Sequence, residues 1–140
     1  MKEITIKDLT WSDVAFECGI NNQPSYDELC CMHDLIDNVL NPINLRVGEL
    51  KVNSGYRNEK VNRLVGGVRN SQHMKGQAAD IRCASVTKDN EKYLDEVENF
   101  AREHLNYDQL IRYDTFIHLS YNASRNRRQY IDKRKRGYGY

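Results

Sequence analysis

The sequence predicts an α+β domain, with a mainly antiparallel sheet and helices packed against it. Three observations lead there. Segments of helical and strand character follow in the order helices, strand, helix, strand, helix, hairpin. The last two apolar segments are separated by a short polar turn, as a hairpin requires. The chain has 140 residues, 39% hydrophobic and 29% charged, with no internal repeat or low-complexity linker, and so suits one soluble domain around one core.

The elements follow in order. Residues 4–17 are short and mixed, and Thr10 or Ser12 can cap a brief helix that Trp11 and Phe16 pack down. Asn21-Asn22-Gln23-Pro24 is a loop. Ser25-Tyr26-Asp27-Glu28 has the form of a capping box. Leu29, Met32, Ile36, Val39, Leu40 and Ile43 then recur at helical spacing, and Pro42 predicts a helix end near Asn41. Residues 49–54 read as a strand leading into Gly55-Tyr56-Arg57. A short helix over 58–65 is closed by Gly66-Gly67.

Residues 77–84 form the next predicted strand. Thr87 opens a helix to about residue 105, with Tyr93, Leu94, Val97, Phe100, Ala101 and Leu105 on one stripe. Segments 107–113 and 116–121 make a hairpin turning near Asp114-Thr115. The pattern stops after Asn122. The expected division is therefore a domain over 1–122 and a basic tail over 123–140, mobile or loosely docked.

Charge and cysteine usage narrow the function classes. The net charge of +1 by itself suggests no polyanionic partner, although basic residues crowd into 125–136. Tyr130, Tyr138 and Tyr140 are interleaved there and could stack on bases. The rest of the chain offers no basic face, so attraction to anionic wall polymers, or a merely solvated tail, is preferred to nucleic-acid binding. Cys18, Cys30, Cys31 and Cys83 contain no C-x-x-C pair and read as reduced thiols. No segment is long and apolar enough to span a membrane, and the first residues lack an apolar export region. A monomer, cytoplasmic as synthesised, is expected.

The chemistry concentrates in residues 70–81. His73 and Asp80 are an imidazole and a carboxylate seven positions apart, with Gly76, Ala78 and Ala79 between them. His118 lies in the second strand of the hairpin. Two imidazoles and one carboxylate make a three-ligand zinc set with a fourth position left for water. On spacing alone they could equally be unrelated polar residues.

The pattern Ser71-x-His73-x-x-Gly76-x-Ala78-x-Asp80 resembles the signature of the zinc D,D- and L,D-type peptidases of the M15 family. Ser54-Gly55-Tyr56-Arg57, Asn62-Arg63-x-Val65-Gly66-Gly67, Asp108-Gln109-x-Ile111 and His118-x-Ser120 extend the resemblance over roughly residues 9–121. It implies a hedgehog/DD-peptidase-like fold, Zn2+ held by His73, Asp80 and His118, and hydrolysis of peptidoglycan stem-peptide amides. A D-alanyl-D-alanine carboxypeptidase or an L,D-endopeptidase both fit, and the small single domain resembles phage endolysins. A non-catalytic zinc-containing binding domain of the same fold is the alternative.

In that family a carboxylate commonly stands three residues before the last histidine and shuttles the proton. Here that position is Thr115, and the nearest carboxylate is Asp114, with Asp108 the other candidate. Asp114 is the expected base if the turn curls it towards the metal. The resemblance places Arg57 near the substrate, where it could stabilise an oxyanion or bind a carboxylate; an ion pair with Glu59 is the competing reading. Ser71 and Gln72 either contact substrate or orient His73.

Overall fold

A computed structural model describes residues 2–135. Two short helices open the chain. Helix α1 (Ile6–Thr10) starts from a capping box between Thr5 and Asp8, and α2 (Asp13–Glu17) from Ser12. Trp11 and Phe16 are not packed down as expected. Both stay exposed, with ring centroids 5.4 Å apart.

Helix α3 (Tyr26–Leu35) begins at the Ser25–Glu28 capping box. It does not stop near Asn41. A π-helical stretch (Ile36–Leu40) carries the rod directly into α4 (Asn41–Arg46). Pro42 has no N–H to give, and in a regular helix its ring would crowd a carbonyl one turn back. The wider turn, in which the Asn41 N–H donates to the Ile36 carbonyl, absorbs that conflict and lets the helix run on.

The sheet has strands β1 (Leu50–Ser54), β2 (Ala78–Cys83), β3 (Gln109–Arg112), β4 (Ile117–Ser120) and β5 (Gln129–Asp132), in the order β1-β2-β4-β3-β5. The first three pairings are antiparallel and β3 with β5 is parallel, which gives the α+β, mainly antiparallel architecture. Short α5 (Glu59–Leu64) follows β1, and α6 (Asn90–His104) follows β2. One face of the sheet presents Ala79, Ile81, Ile117 and Leu119 to Met32, Leu35 and Val39 of the long rod and to Leu94 and Val97 of α6. Each of the larger of these apolar side chains, Ala79 apart, contributes about 1.5–3 kcal/mol by leaving water. The two-residue alternation of strands puts Asp80 and His118 on the opposite face, directly across from each other in the β2–β4 register.

Strand β5 corrects the expectation of a loosely docked tail from residue 123. Four residues of that segment pair with β3, from Gln109–Gln129 to Arg112–Asp132. Salt bridges fix the same edge. Arg112 is fully buried and reaches Asp95 of α6 at 2.9 Å and Glu98 at 3.5 Å. Arg134 holds Asp132 at 2.8 Å and approaches Asp95 at 3.8 Å. A buried guanidinium is tolerable only with such partners. The rest of the expected tail, 136–140, lies outside the described residues. Among the described residues no helix is long and apolar enough to cross a membrane.

Candidate metal centre

Three backbone features aim His73. It sits in a 3-10 turn (Gln72–Lys75), and Ser71 caps that turn by accepting from the His73 N–H at 3.1 Å. The turn ends at Gly76, whose φ of +74° favours glycine, and a Cβ there would lie 2.5 Å from the Glu28 carbonyl oxygen of α3. The block after β1 docks on its other side. Gly55 passes so close to Leu9 that a Cβ would stand 2.4 Å from the Leu9 carbonyl oxygen. The Arg57 N–H donates to the His73 carbonyl at 3.1 Å, and His73 Nδ1 donates to the Gly55 carbonyl at 2.7 Å.

That last bond fixes the tautomer. With the proton on Nδ1, a neutral His73 turns the lone pair of Nε2 towards Asp80 Oδ1, 3.3 Å away. His118 brings Nδ1 to the same oxygen at 2.9 Å. The two rings meet edge to face with centroids 5.1 Å apart. One donor atom from each of His73, Asp80 and His118 lies within 4.8 Å of the other two. Among the described residues these make the one such group. A lone pair facing a carboxylate oxygen is repulsive unless a cation stands between them, so this donor set fits a metal ion. Where His73 Nε2 carries a proton instead, it donates to Asp80 as His118 does; burial opposes ionisation of Asp80, but these hydrogen bonds outweigh it and hold the carboxyl well below the usual carboxylate range.

The centre opens into a cleft of about 500 Å³ whose lining also includes Arg57, Ser71, Gln72, Tyr113, Arg127 and Lys133. Burial lowers the Arg57 pKa against the pull of Asp80, and its Nε is buried without a hydrogen-bond partner. The expected alternative for Arg57 does not form, since Glu59 pairs with Arg63 at 3.3 Å. Gln72 Nε2 donates to Gln77 Oε1 at 3.3 Å and to Asp108 Oδ2 at 3.0 Å. Both amide protons are thereby engaged, which leaves Gln72 its oxygen as an acceptor. Burial first, and then the Asp80 charge, push the Tyr113 phenol pKa up, so it stays protonated.

The structure does not bring the expected base to this cleft. Asp114 is exposed at the β3–β4 turn, where its carboxylate accepts the Lys135 N–H at 3.2 and 3.3 Å, and it is not among the residues that line the cleft. The reason is the chain beyond β5, which passes the turn and captures the side chain. Asp108 is also committed. It is buried and takes Arg127 through Nε at 2.9 Å and Nη2 at 3.0 Å. Tyr113, Arg127 and Lys133 are among the polar cleft residues that the sequence does not mark as part of the site. The one signal for the two cations is the basic segment 125–136, which follows the end of the apolar pattern.

The family model described as Peptidase M15 matches residues 2–120. No curated protein matches the chain. The match covers most of the sequence and contains all three donors of the centre. Together the match and the convergent donors lead to one conclusion: the chain belongs to the peptidase M15 family of metal-dependent hydrolases.

Proposed function

We propose that this chain is a zinc-dependent peptidase that hydrolyses amide bonds in peptidoglycan stem peptides, in a lysis role of the phage or prophage kind. His73, Asp80 and His118 hold the metal. The observation that carries the reading is the convergence of His73 Nε2 and His118 Nδ1 on one oxygen of Asp80 at the floor of an open cleft. Two imidazoles and a carboxylate suit zinc. When bound, zinc supplies Lewis acidity to a scissile carbonyl and to water.

The chain's own residues position the substrate. Arg57 offers a guanidinium to a carbonyl oxygen or a substrate carboxylate. The Gln72 oxygen accepts an N–H from the peptide backbone. Tyr113, held protonated, donates from the β3 side. Ser71 orients the His73 backbone through the bond that caps its turn. Asp114, as placed, does not line the cleft and is given no proton step.

The test is digestion of purified peptidoglycan by zinc-loaded protein, read by mass spectrometry, with zinc content measured in parallel. The expected result is about one zinc per chain, as the three-ligand set requires, and truncated stem peptides whose termini separate carboxypeptidase from endopeptidase. The second reading is a non-catalytic zinc-containing binding domain of the same fold. One observation favours it: among the described residues, Asp80 is the sole carboxylate lining the cleft. Zinc bound with every stem peptide left intact would select that reading.

A further inference from the structure

The segment beyond the family match builds one wall of the cleft. The match ends at residue 120, yet Arg127 and Lys133 line the same space as His73, Asp80 and His118. Strand β5 places them there. Its parallel register sets Asp132 beside Arg112, and the Lys133 N–H continues the ladder by donating to the Arg112 carbonyl at 2.8 Å.

The cations of this segment divide into two kinds. Arg127 is bound to Asp108, Arg134 to Asp132 and Asp95, and Arg128 to the carbonyls of Leu105 and Arg102 at the end of α6. Those five contacts are internal and hold the wall in place. Lys133 differs. It is exposed and lines the cleft, and among the described residues its ammonium has no ion-pair partner. Arg57, which lines the same cleft, is likewise without a salt bridge among the described residues, and its Nε is buried with no partner.

The charge balance follows. Among the described residues Asp80 is the one lining carboxylate, and it belongs to the centre. Arg57 and Lys133 therefore leave the cleft with uncompensated positive charge. A concave site with one sign of charge focuses its field and concentrates ligands of the opposite sign. A neutral peptide would leave Lys133 in water and gain nothing from it.

We infer that Lys133 is a specificity-determining residue that selects peptides carrying a free carboxylate on the β5 side of the scissile amide. The inference rests on the peptidase reading for the amide, but the charge preference is a binding property that exists without turnover. An exposed partner limits its size. Pairs in solvent are weak and focusing in the cleft adds to them, so the preference is expected at roughly three- to tenfold.

The experiment compares wild type with Lys133→Gln and Lys133→Arg, all zinc-loaded. The probes are a pentapeptide ending in D-alanyl-D-alanine with an internal D-glutamate, its C-terminal amide, and its version with D-isoglutamine in place of the D-glutamate. Calorimetric Kd is measured at low and high salt, and KM where cleavage occurs. Wild type should bind the free acid more tightly than one of the two neutralised peptides, and high salt should erase the difference. Lys133→Gln should lose that preference through Kd and KM, and Lys133→Arg should restore it. The same acid-to-neutral ratios in wild type and Lys133→Gln would overturn the inference. Acid preference with no cleavage would keep it and sink the peptidase reading. Cleavage without acid preference would do the reverse, and neither binding nor cleavage would remove both.

Discussion

Asp80 and Asp108 are both largely withdrawn from water, both are held ionised, and they do different things. Asp108 is saturated. Four hydrogen bonds reach its carboxylate, from the Arg127 N–H, Nε and Nη2 and from Gln72 Nε2. That fills the roughly four acceptor sites a carboxylate has. Its partners carry their own protons permanently, so the pair is a clamp. Asp80 is met by two imidazoles, which can surrender a proton and offer a lone pair instead. The difference teaches how to tell a structural from a functional buried acid here: the partners of the first cannot be replaced by a cation, and those of the second can.

The largest expected effect breaks the Asp80 side of the comparison. Asp80→Asn or His73→Ala should lose most bound zinc and reduce any peptidase activity by about 100-fold or more, since one of the three proposed protein ligands is removed. Metal analysis of purified protein checks it. Zinc retained in both variants would move the metal elsewhere in the chain.

Truncation after Ser124 attacks the other side. It deletes β5 together with Arg127, leaving the buried Asp108 without its guanidinium and the Arg112 network without Arg134. A buried charge stripped of its partner costs several kcal/mol, so the thermal midpoint should fall by about 10 °C or more. A shift of only a degree or two would show that the segment is peripheral after all. Zinc content, with all three ligands still present, separates loss of the wall from loss of the centre.

Asp108→Asn is the milder version, expected to cost about 1–3 kcal/mol at neutral pH. Arg127 hydrogen bonds, against burial, hold the Asp108 carboxyl below its ordinary value of about 3.9. A depressed carboxylate stabilises the fold at pH above that ordinary value. Its contribution drains as pH falls through the folded-state value. The variant should therefore lose less stability than wild type between about pH 5 and pH 3. Denaturant melts at both pH values measure the difference, and an unchanged acid limb would mean that Asp108 is not a pH-linked clamp.

Which parts were legible in the sequence follows from the range of the interactions. The grouping of His73, Asp80 and His118 could be read because imidazole and carboxylate chemistry is carried by residue type, and because β2 and β4 show apolar alternation. The capping boxes are local and were readable too. Strand β5 was not. Gln129-Tyr130-Ile131-Asp132 is short, polar and half-exposed, and its pairing with β3 is a parallel contact about twenty residues away. The continuation of the long helix past Pro42 was hidden because a π turn leaves no mark in apolar spacing. The Arg127–Asp108 clamp joins residues 19 apart, with no periodicity to announce it.

The smallest expected effect concerns Asp114, and it tests how far the comparison of acids extends. Proximity in sequence to His118 favours Asp114 as the proton shuttle, and losing such a group usually costs about 100-fold in turnover. The structure argues the other way. The carboxylate is engaged by the Lys135 N–H on the exposed side of the turn, and the cleft beside His118 is lined by Tyr113 and Phe116 instead. Asp114 thus resembles Asp108 more than Asp80, as an acid whose acceptors are taken up by fixed donors of the fold. Asp114→Asn still offers an oxygen to Lys135, so zinc content should not change and activity should stay within about twofold, well short of the loss of an acid–base group. A full 100-fold loss with zinc and thermal midpoint intact would return Asp114 to the role the sequence suggests. It would also mean that the turn releases the Lys135 contact when substrate binds, which Lys135→Pro with Asp114 kept, by removing that N–H, would mimic.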